Sequence, residues 1–297
     1  MNSNLYKDYK LSKIKLINKL KRFSKGLKRA ATDENAFISI NDFLADEHSL
    51  GPKADPGSIY YRYTDFENIN WYIKILMKDL DFLKIVCIPN YYIEYNYTLD
   101  YLLFNDTLIN AINKCTSKRF IYIILKIFGE QIAHANMIII DNLKKTIERF
   151  EPHGHYFISA KSIDNDKNLD NKFNKNLLKI LNLNDYKYIS PIDISPKMGV
   201  QVKADAYEGM CVSYSLIYLQ LRLMNPDIDQ KIIVNYLKSK ETKDIIDIIL
   251  KYARYVEKKL KENEDFIFED QMLIHKQNKN IHKYIIIDDN GTRTIEK

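Results

Sequence analysis

An α+β fold is predicted: a small central β-sheet with surrounding helices. Three observations predict it. Residues 119–150 are rich in β-branched and aromatic side chains and are broken by one polar turn, and residues 211–260 carry apolar side chains at helical spacing. Near the C-terminus, Asp289-Asn290-Gly291 separates the apolar Ile285-Ile286-Ile287 from Thr292–Ile295, the pattern of a small hairpin with a tight turn. The 297 residues suffice for a real core, and 46% apolar with 28% charged residues exclude disordered and fibrous classes. No run approaches the roughly 18 apolar residues of a membrane-spanning helix, and Met1–Lys10 does not read as a secretory signal. The three cysteines, an odd number, argue against a disulfide framework and for a reducing compartment; the expected location is the cytoplasm, or a virion if the protein is viral.

The net charge is +6, but residues 1–30 hold ten basic side chains against Asp8 alone, which is +9 and leaves −3 for the other 267. Leu16, Leu20, Phe23 and Leu27 give this segment one apolar face, so 1–30 is expected as a basic amphipathic helix or extension. Such a helix can meet nucleic acid or an anionic membrane surface, dock on a partner, or cap the body with a solvated face. Residues 31–297 are taken as one domain with its core at 119–226.

Along that domain, Gly51-Pro52 and Asp55-Pro56-Gly57 mark loops, Asn70–Met77 is an apolar run, and the tyrosines of Tyr91–Phe104 read as packing residues. Arg119–Phe128 and Ala133–Asp141 are strands, Asn142–Lys145 a turn, and Thr146–Phe150 a third strand. Asn171–Leu183 reads as a helix and Tyr186–Ser190 as a short strand. Cys211–Met224 has too few charges for a surface helix, so it is expected to be buried, and Asn225-Pro226 ends it. Amphipathic helices follow over Asp227–Ser239 and Thr242–Leu260, and a hairpin over Ile281–Glu296. No internal repeat of 20–50 residues is visible.

The chemistry concentrates at three places. If Asn142–Lys145 is the turn, cross-strand partners sum to 287, so Asp141 faces Thr146, Ile139 faces Glu148, Asn136 faces Glu151 and His134 faces His153. Alternation then puts His134, Asn136, Glu151 and His153 on one face, and Glu148 and Asp141 on the other. Parity thereby selects Glu151 as the carboxylate able to hold His134. Cys211 opens the buried helix, where the positive end of the macrodipole favours a thiolate. An imidazole beside it, oriented by a carboxylate, would make an activated nucleophile, and Gln201 is an amide able to donate to an oxyanion. His153 and His155 could join His134 around a metal, but no Cys or carboxylate spacing supports zinc, and neither metal nor cofactor is expected. Cys87 and Cys115 read as structural.

Ala133-His134-Ala135-Asn136, then Phe150-Glu151-Pro152-His153-Gly154, then Gly209-Met210-Cys211 before a long apolar helix, resembles the superfamily of adenovirus protease and SUMO-protease cysteine peptidases. Leu221–Asp227 behind the cysteine is similar to protease-like proteins of large DNA viruses. The resemblance implies an α+β fold, a His134–Glu151–Cys211 triad, an oxyanion hole that includes a glutamine, here Gln201, and cleavage of polypeptides after small residues. The protein substrate would be a viral precursor or a ubiquitin-like modifier. Two other readings stand beside it: an acetyltransferase on the same fold, and a catalytically inactive protease-like binding protein.

Overall fold

The computed structural model describes residues 37–44, 66–79, 84–129, 133–154, 168–195, 197–204, 210–278 and 283–296. The basic segment 1–30 lies outside the described residues, as do His48, His155 and His282. Contacts group the chain into two compact units, one from residues up to Ile85 with Val200–Glu264, the other from Val86–Gly199 with Asp265–Lys297. The 119–226 region is therefore shared, its strands in the second unit and the Cys211 helix in the first.

The second unit is built on a mixed nine-stranded sheet, wider than the small sheet expected. Its strands are β1 (Val86–Cys87), β2 (Ile93–Asn96), β3 (Tyr101–Asn105), β4 (Phe120–Phe128), β5 (Ala133–Asp141), β6 (Thr146–Phe150), β7 (Lys187–Ile189), β8 (Lys283–Asp288) and β9 (Gly291–Glu296). Their order is β7-β6-β5-β4-β2-β3-β8-β9, with β1 beside β4. The three long central strands run antiparallel, whereas β1 and β2 pair parallel to β4 and β7 pairs parallel to β6. The Tyr91–Phe104 segment does pack, with Tyr95 and Phe104 in the core, and it does so as the hairpin β2–β3. The C-terminal hairpin forms where expected, and β8 then adds to β3, which brings residues some 180 positions apart into one ladder.

One face of this sheet carries Ile121, Ile123, Leu125, Ile138, Ile140, Ile147, Ile285 and Ile287 into a core closed by Leu169, Phe173 and Leu177. β-Branched side chains suit this pleated surface, and burying each contributes about 1.5–3 kcal/mol. The closing helix begins with helical residues 168–172, widens into a π-helical turn at Phe173–Leu177 and ends as a short helix, Leu178–Ile180. Short helices at Thr107–Lys114 and Pro191–Ile194 belong to the same unit.

Cys87 and Cys115 form a disulfide, which corrects the expectation that the cysteines would not pair. The cause is the sheet: β1 lies against the start of β4 with Cys87 opposite Ile121, and Cys115 caps the helix that leads into β4. Their Cα atoms are thereby 5.7 Å apart.

The first unit is helical. We label its helices α1 (Ile40–Phe43), α2 (Phe66–Asp79), α3 (Val200–Lys203), α4 (Cys211–Met224), α5 (Gln230–Ser239) and α6 (Thr242–Lys261). A further helix, Glu264–Asn278, starts where the first unit ends. All fourteen residues of α4 are buried, as its near-absence of charge, with Arg222 the one charged residue of the helix, predicts. A chain of buried hydrogen bonds crosses this unit: Tyr72 Oη donates to Tyr252 Oη at 3.0 Å, and Tyr252 Oη to Gln220 Oε1 at 2.9 Å. Asn225, at the end of α4, accepts the Ile38 N–H at 2.7 Å and donates to its carbonyl at 2.9 Å. No helix among the described residues is long and apolar enough to cross a membrane.

Candidate active site

The hairpin β5–β6 positions the first half of the site. Its register runs from Asp141 opposite Thr146 to Met137 opposite Phe150, so paired positions sum to 287. The strand pairing stops there, but side chains continue the register. His134 Nε2 lies 2.6 Å from Glu151 Oε1, Asn136 Nδ2 donates to Glu151 Oε2 at 2.8 Å, and the His134 and His153 rings stack at 4.5 Å and 18°. Glu151 Oε1 also accepts the backbone N–H of His153 at 2.9 Å. All four residues are buried.

Two glycines shape the turn beyond Glu151. Gly154 adopts φ +90°, a conformation L side chains rarely take. Gly199 donates its N–H to the His153 carbonyl at 2.7 Å, and a Cβ there would run into the backbone of Pro152, His153 and Gly154. The approach of residues 197–199 to the site thus requires glycine.

Electrostatics follow from this packing. Burial alone would push the Glu151 carboxyl up. The charge and hydrogen bond of His134, then the charges of His153 and Arg149, outweigh burial and bring it down from 4.5 to about 2. His153 moves the other way from a typical paired histidine. Burial and the charge of His134 lower it from 6.5 to about 4, against the pull of Glu151. With Nε2 bonded to a carboxylate, a neutral His134 carries its proton on Nε2 and its lone pair on Nδ1. Nδ1 is then the basic nitrogen.

His134, Glu151 and His153 also bring three ligand atoms within 4.8 Å of one another, the kind of cluster that can hold a metal ion. The rings argue against a shared ion. A ligating nitrogen directs its lone pair in the ring plane, and two planes stacked at 18° do not converge on a point about 2 Å from both nitrogens. Glu151 Oε1 is already occupied by two donors.

Cys211 and Gln201 belong to the helical unit. Cys211 is the first residue of α4, buried, with Met210 at the N-cap position, and it stands outside the disulfide. Its place at a helix start is what the sequence predicts. Gln201 lies on α3, buried, and its Oε1 has no hydrogen-bond partner among the described residues. Tyr214 of α4 reaches back to the Ala204 carbonyl, just past α3, at 3.5 Å. His134 and Glu151 are thus joined within one unit, and Cys211 and Gln201 are carried by neighbouring helices of the other.

The sequence reading passes over three participants. Arg149 donates from Nη1 to Asn136 Oδ1 at 2.7 Å, and from Nε and Nη2 to Asp170 Oδ1 at 3.1 and 3.0 Å. Tyr188 Oη donates to the same Asp170 oxygen at 2.6 Å. Alternation along β6 was the available signal for Arg149, since it shares the face of Glu151. Nothing in the sequence links Asp170 or Tyr188 to it.

No family model matches the chain. A protein of Acanthamoeba polyphaga mimivirus named as an ankyrin repeat protein (L371) is 28% identical over 192 residues, covering 57% of this chain. The chain spans 23% of the length of that relative. An ankyrin array stacks β-turn and helix-pair units of about 33 residues. The described residues instead build a nine-stranded sheet and a helical unit, so the likeness brings no repeat architecture here.

Proposed function

We propose that the protein is a cysteine peptidase with Cys211 as nucleophile, His134 as base and Glu151 as the group that orients the base. The observation that carries this reading is the buried His134–Glu151 contact of 2.6 Å, in which three donors converge on one carboxylate. A purely structural histidine does not need its partner carboxylate held on both oxygens. A thiol at the first position of a buried helix supplies the complementary part.

In this mechanism His134 Nδ1 takes the Cys211 thiol proton while Glu151 stabilises the imidazolium that forms. The thiolate attacks the scissile carbonyl carbon, and the Cys211 N–H and the Gln201 side-chain amide donate to the oxyanion. His134 then gives its proton to the leaving amine, which leaves an acyl thioester on Cys211. A water molecule, deprotonated by His134, attacks the thioester, and Cys211 departs to restore the resting pair. The substrate proposed is a polypeptide cut after a small residue, from a viral structural precursor or a ubiquitin-like modifier.

The test is labelling. The intact chain, treated at neutral pH with electrophilic peptide and ubiquitin-like probes ending in glycine, should gain the probe's mass on Cys211. Cys211→Ala should abolish both labelling and peptide turnover. Turnover retained by Cys211→Ala would overturn the assignment. An acetyl adduct on Cys211 from labelled acetyl-CoA, without peptide turnover, would replace peptidase by acyltransferase.

A further inference from the structure

We propose that Asn136, Arg149 and Asp170 form a positioning relay that sets the orientation of Glu151, and through it of His134, from the helical residues 168–172 outside the hairpin. The proposal rests on the peptidase reading for its catalytic consequence, though not for its geometry.

The relay starts from the two oxygens of Glu151. Oε1 is taken by His134 Nε2 and the His153 N–H, so any rotation of the carboxylate must be resisted at Oε2. Asn136 Nδ2 is there, at 2.8 Å. A carboxamide has one donating and one accepting end. With Nδ2 on Glu151, Oδ1 must face away, and Arg149 Nη1 donates to it at 2.7 Å. If the amide turned over, Oδ1 would meet the Glu151 carboxylate and Nδ2 would meet a guanidinium, so neither contact could form. The asparagine is therefore locked by its two neighbours, and of these Arg149 is the one that does no chemistry.

Arg149 is fixed in turn. Its Nε and Nη2 both donate to Asp170 Oδ1, at 3.1 and 3.0 Å, and Tyr188 Oη donates to the same oxygen at 2.6 Å. Its Nη1 stands 3.9 Å from Glu151 Oε2, beyond hydrogen-bond reach, so Arg149 acts on Glu151 directly by charge alone and orients it through Asn136. Along the line Asp170, Arg149, Glu151 and an imidazolium at His134, the charges alternate in sign. Arg149, Glu151 and His134 are almost wholly buried and Asp170 is 24% exposed. Burying this many charges is a poor way to stabilise a fold unless each is paired. A row that ends on the candidate base accounts for the arrangement by function.

Breaking the relay should loosen Glu151 and slow the chemical step without altering a surface that substrate touches. In the full chain, Asn136→Asp keeps the acceptor for Arg149 but loses the donor to Glu151, and Asp170→Asn weakens the far end at a partly exposed site. Removing a group that orients a metal ligand lowers activity about ten- to a hundredfold, and a group that orients a catalytic carboxylate is assigned the same range. Asn136→Asp is expected to reduce kcat about a hundredfold and Asp170→Asn about tenfold, each with KM within about twofold. The double variant should be no slower than Asn136→Asp alone, because both act through one path.

The second readout is the proton NMR signal of the His134 Nε2–H, identified by its loss in His134→Gln. A short bond to a carboxylate places that proton at low field, and both relay variants should move or broaden it. An unmoved signal in both folded variants would overturn the relay, as would additive losses in kcat. If the unaltered protein cleaves no peptide, the peptidase reading fails, and the His134 signal still decides the relay. Should Asn136→Asp fail to fold, the signal in Asp170→Asn carries the decision.

Discussion

The hairpin β5–β6 ends in two buried charged clusters, and they are built differently. At the turn end, Asp141 lies 3.5 Å from Arg119, and its Oδ1 accepts the N–H groups of Leu143 and Lys144 at 3.0 and 3.1 Å. Asn142 beside it donates to the Lys118 carbonyl at 2.7 Å and accepts Tyr186 Oη at the same distance. This cluster gathers backbone groups, an arginine and a tyrosine hydroxyl. At the open end, Glu151 instead faces the imidazoles of His134 and His153. One carboxylate closes a turn and the other holds a titratable base. The difference lies in the partners, because burial is nearly the same.

The largest effect that would break this comparison is on activity. Glu151→Gln should lower kcat/KM about a thousandfold, since the amide cannot stabilise the imidazolium and can settle the wrong tautomer. Asp141→Asn should leave kcat/KM within about twofold and act on stability instead. Removing the Asp141 charge from beside the buried Arg119 should cost about 4 kcal/mol in denaturant unfolding. Equal activity losses in the two variants would erase the distinction.

The next test stays at the turn end. Cys115, whose carbonyl accepts from Asn142 Nδ2 at 3.4 Å, is bonded to Cys87 across 28 positions. Opening that loop by Cys115→Ser should reduce stability by about 3 kcal/mol under non-reducing conditions. Peptide turnover at low temperature should persist. Loss of turnover in a folded Cys115→Ser variant would tie the disulfide to the site.

These two ends were unequally legible in the sequence. The polar turn Asn142–Lys145 between two apolar runs fixed the pairing sum, and strand parity then selected Glu151 and rejected Glu148. Cys211 was legible because an apolar run with a single charge, preceded by a turn, has few alternatives to a buried helix. The disulfide was not, because it depends on β1 lying parallel to β4, a pairing no local pattern encodes. β2 and β3 were hidden in a tyrosine-rich segment whose composition reports burial without periodicity. Arg149 was visible as a strand residue on the Glu151 face, but its partner Asp170 comes from a helix 21 positions away. Local alternation and turn chemistry carried the inference where contacts were near in sequence, and it stopped where a contact needed the whole sheet.

The smallest expected effect sharpens the comparison by pH. The folded protein holds His153 at about 4, below its ordinary 6.5, with His134 and Glu151 as the titratable groups facing it. Between those values the unfolded chain binds the proton that the folded one refuses, so stability falls as pH drops from 6.5 to 4, by about 2–3 kcal/mol in all. Glu151 has the depressed value of about 2, so its contribution is present above 4.5 and is lost as pH falls from 4.5 to 2. Replacing His153 by Phe keeps an aromatic ring against His134 but removes the first window. Urea unfolding of His153→Phe should therefore lose about 2 kcal/mol less stability between pH 6.5 and 4.5 than the unaltered protein does. At the turn end, Asp141→Asn should leave the slope between pH 6.5 and 4.5 intact, because that slope belongs to the imidazole stack. A His153→Phe curve falling from 6.5 as steeply as that of the unaltered protein would place the acid sensitivity elsewhere and remove the electrostatic distinction between the two ends.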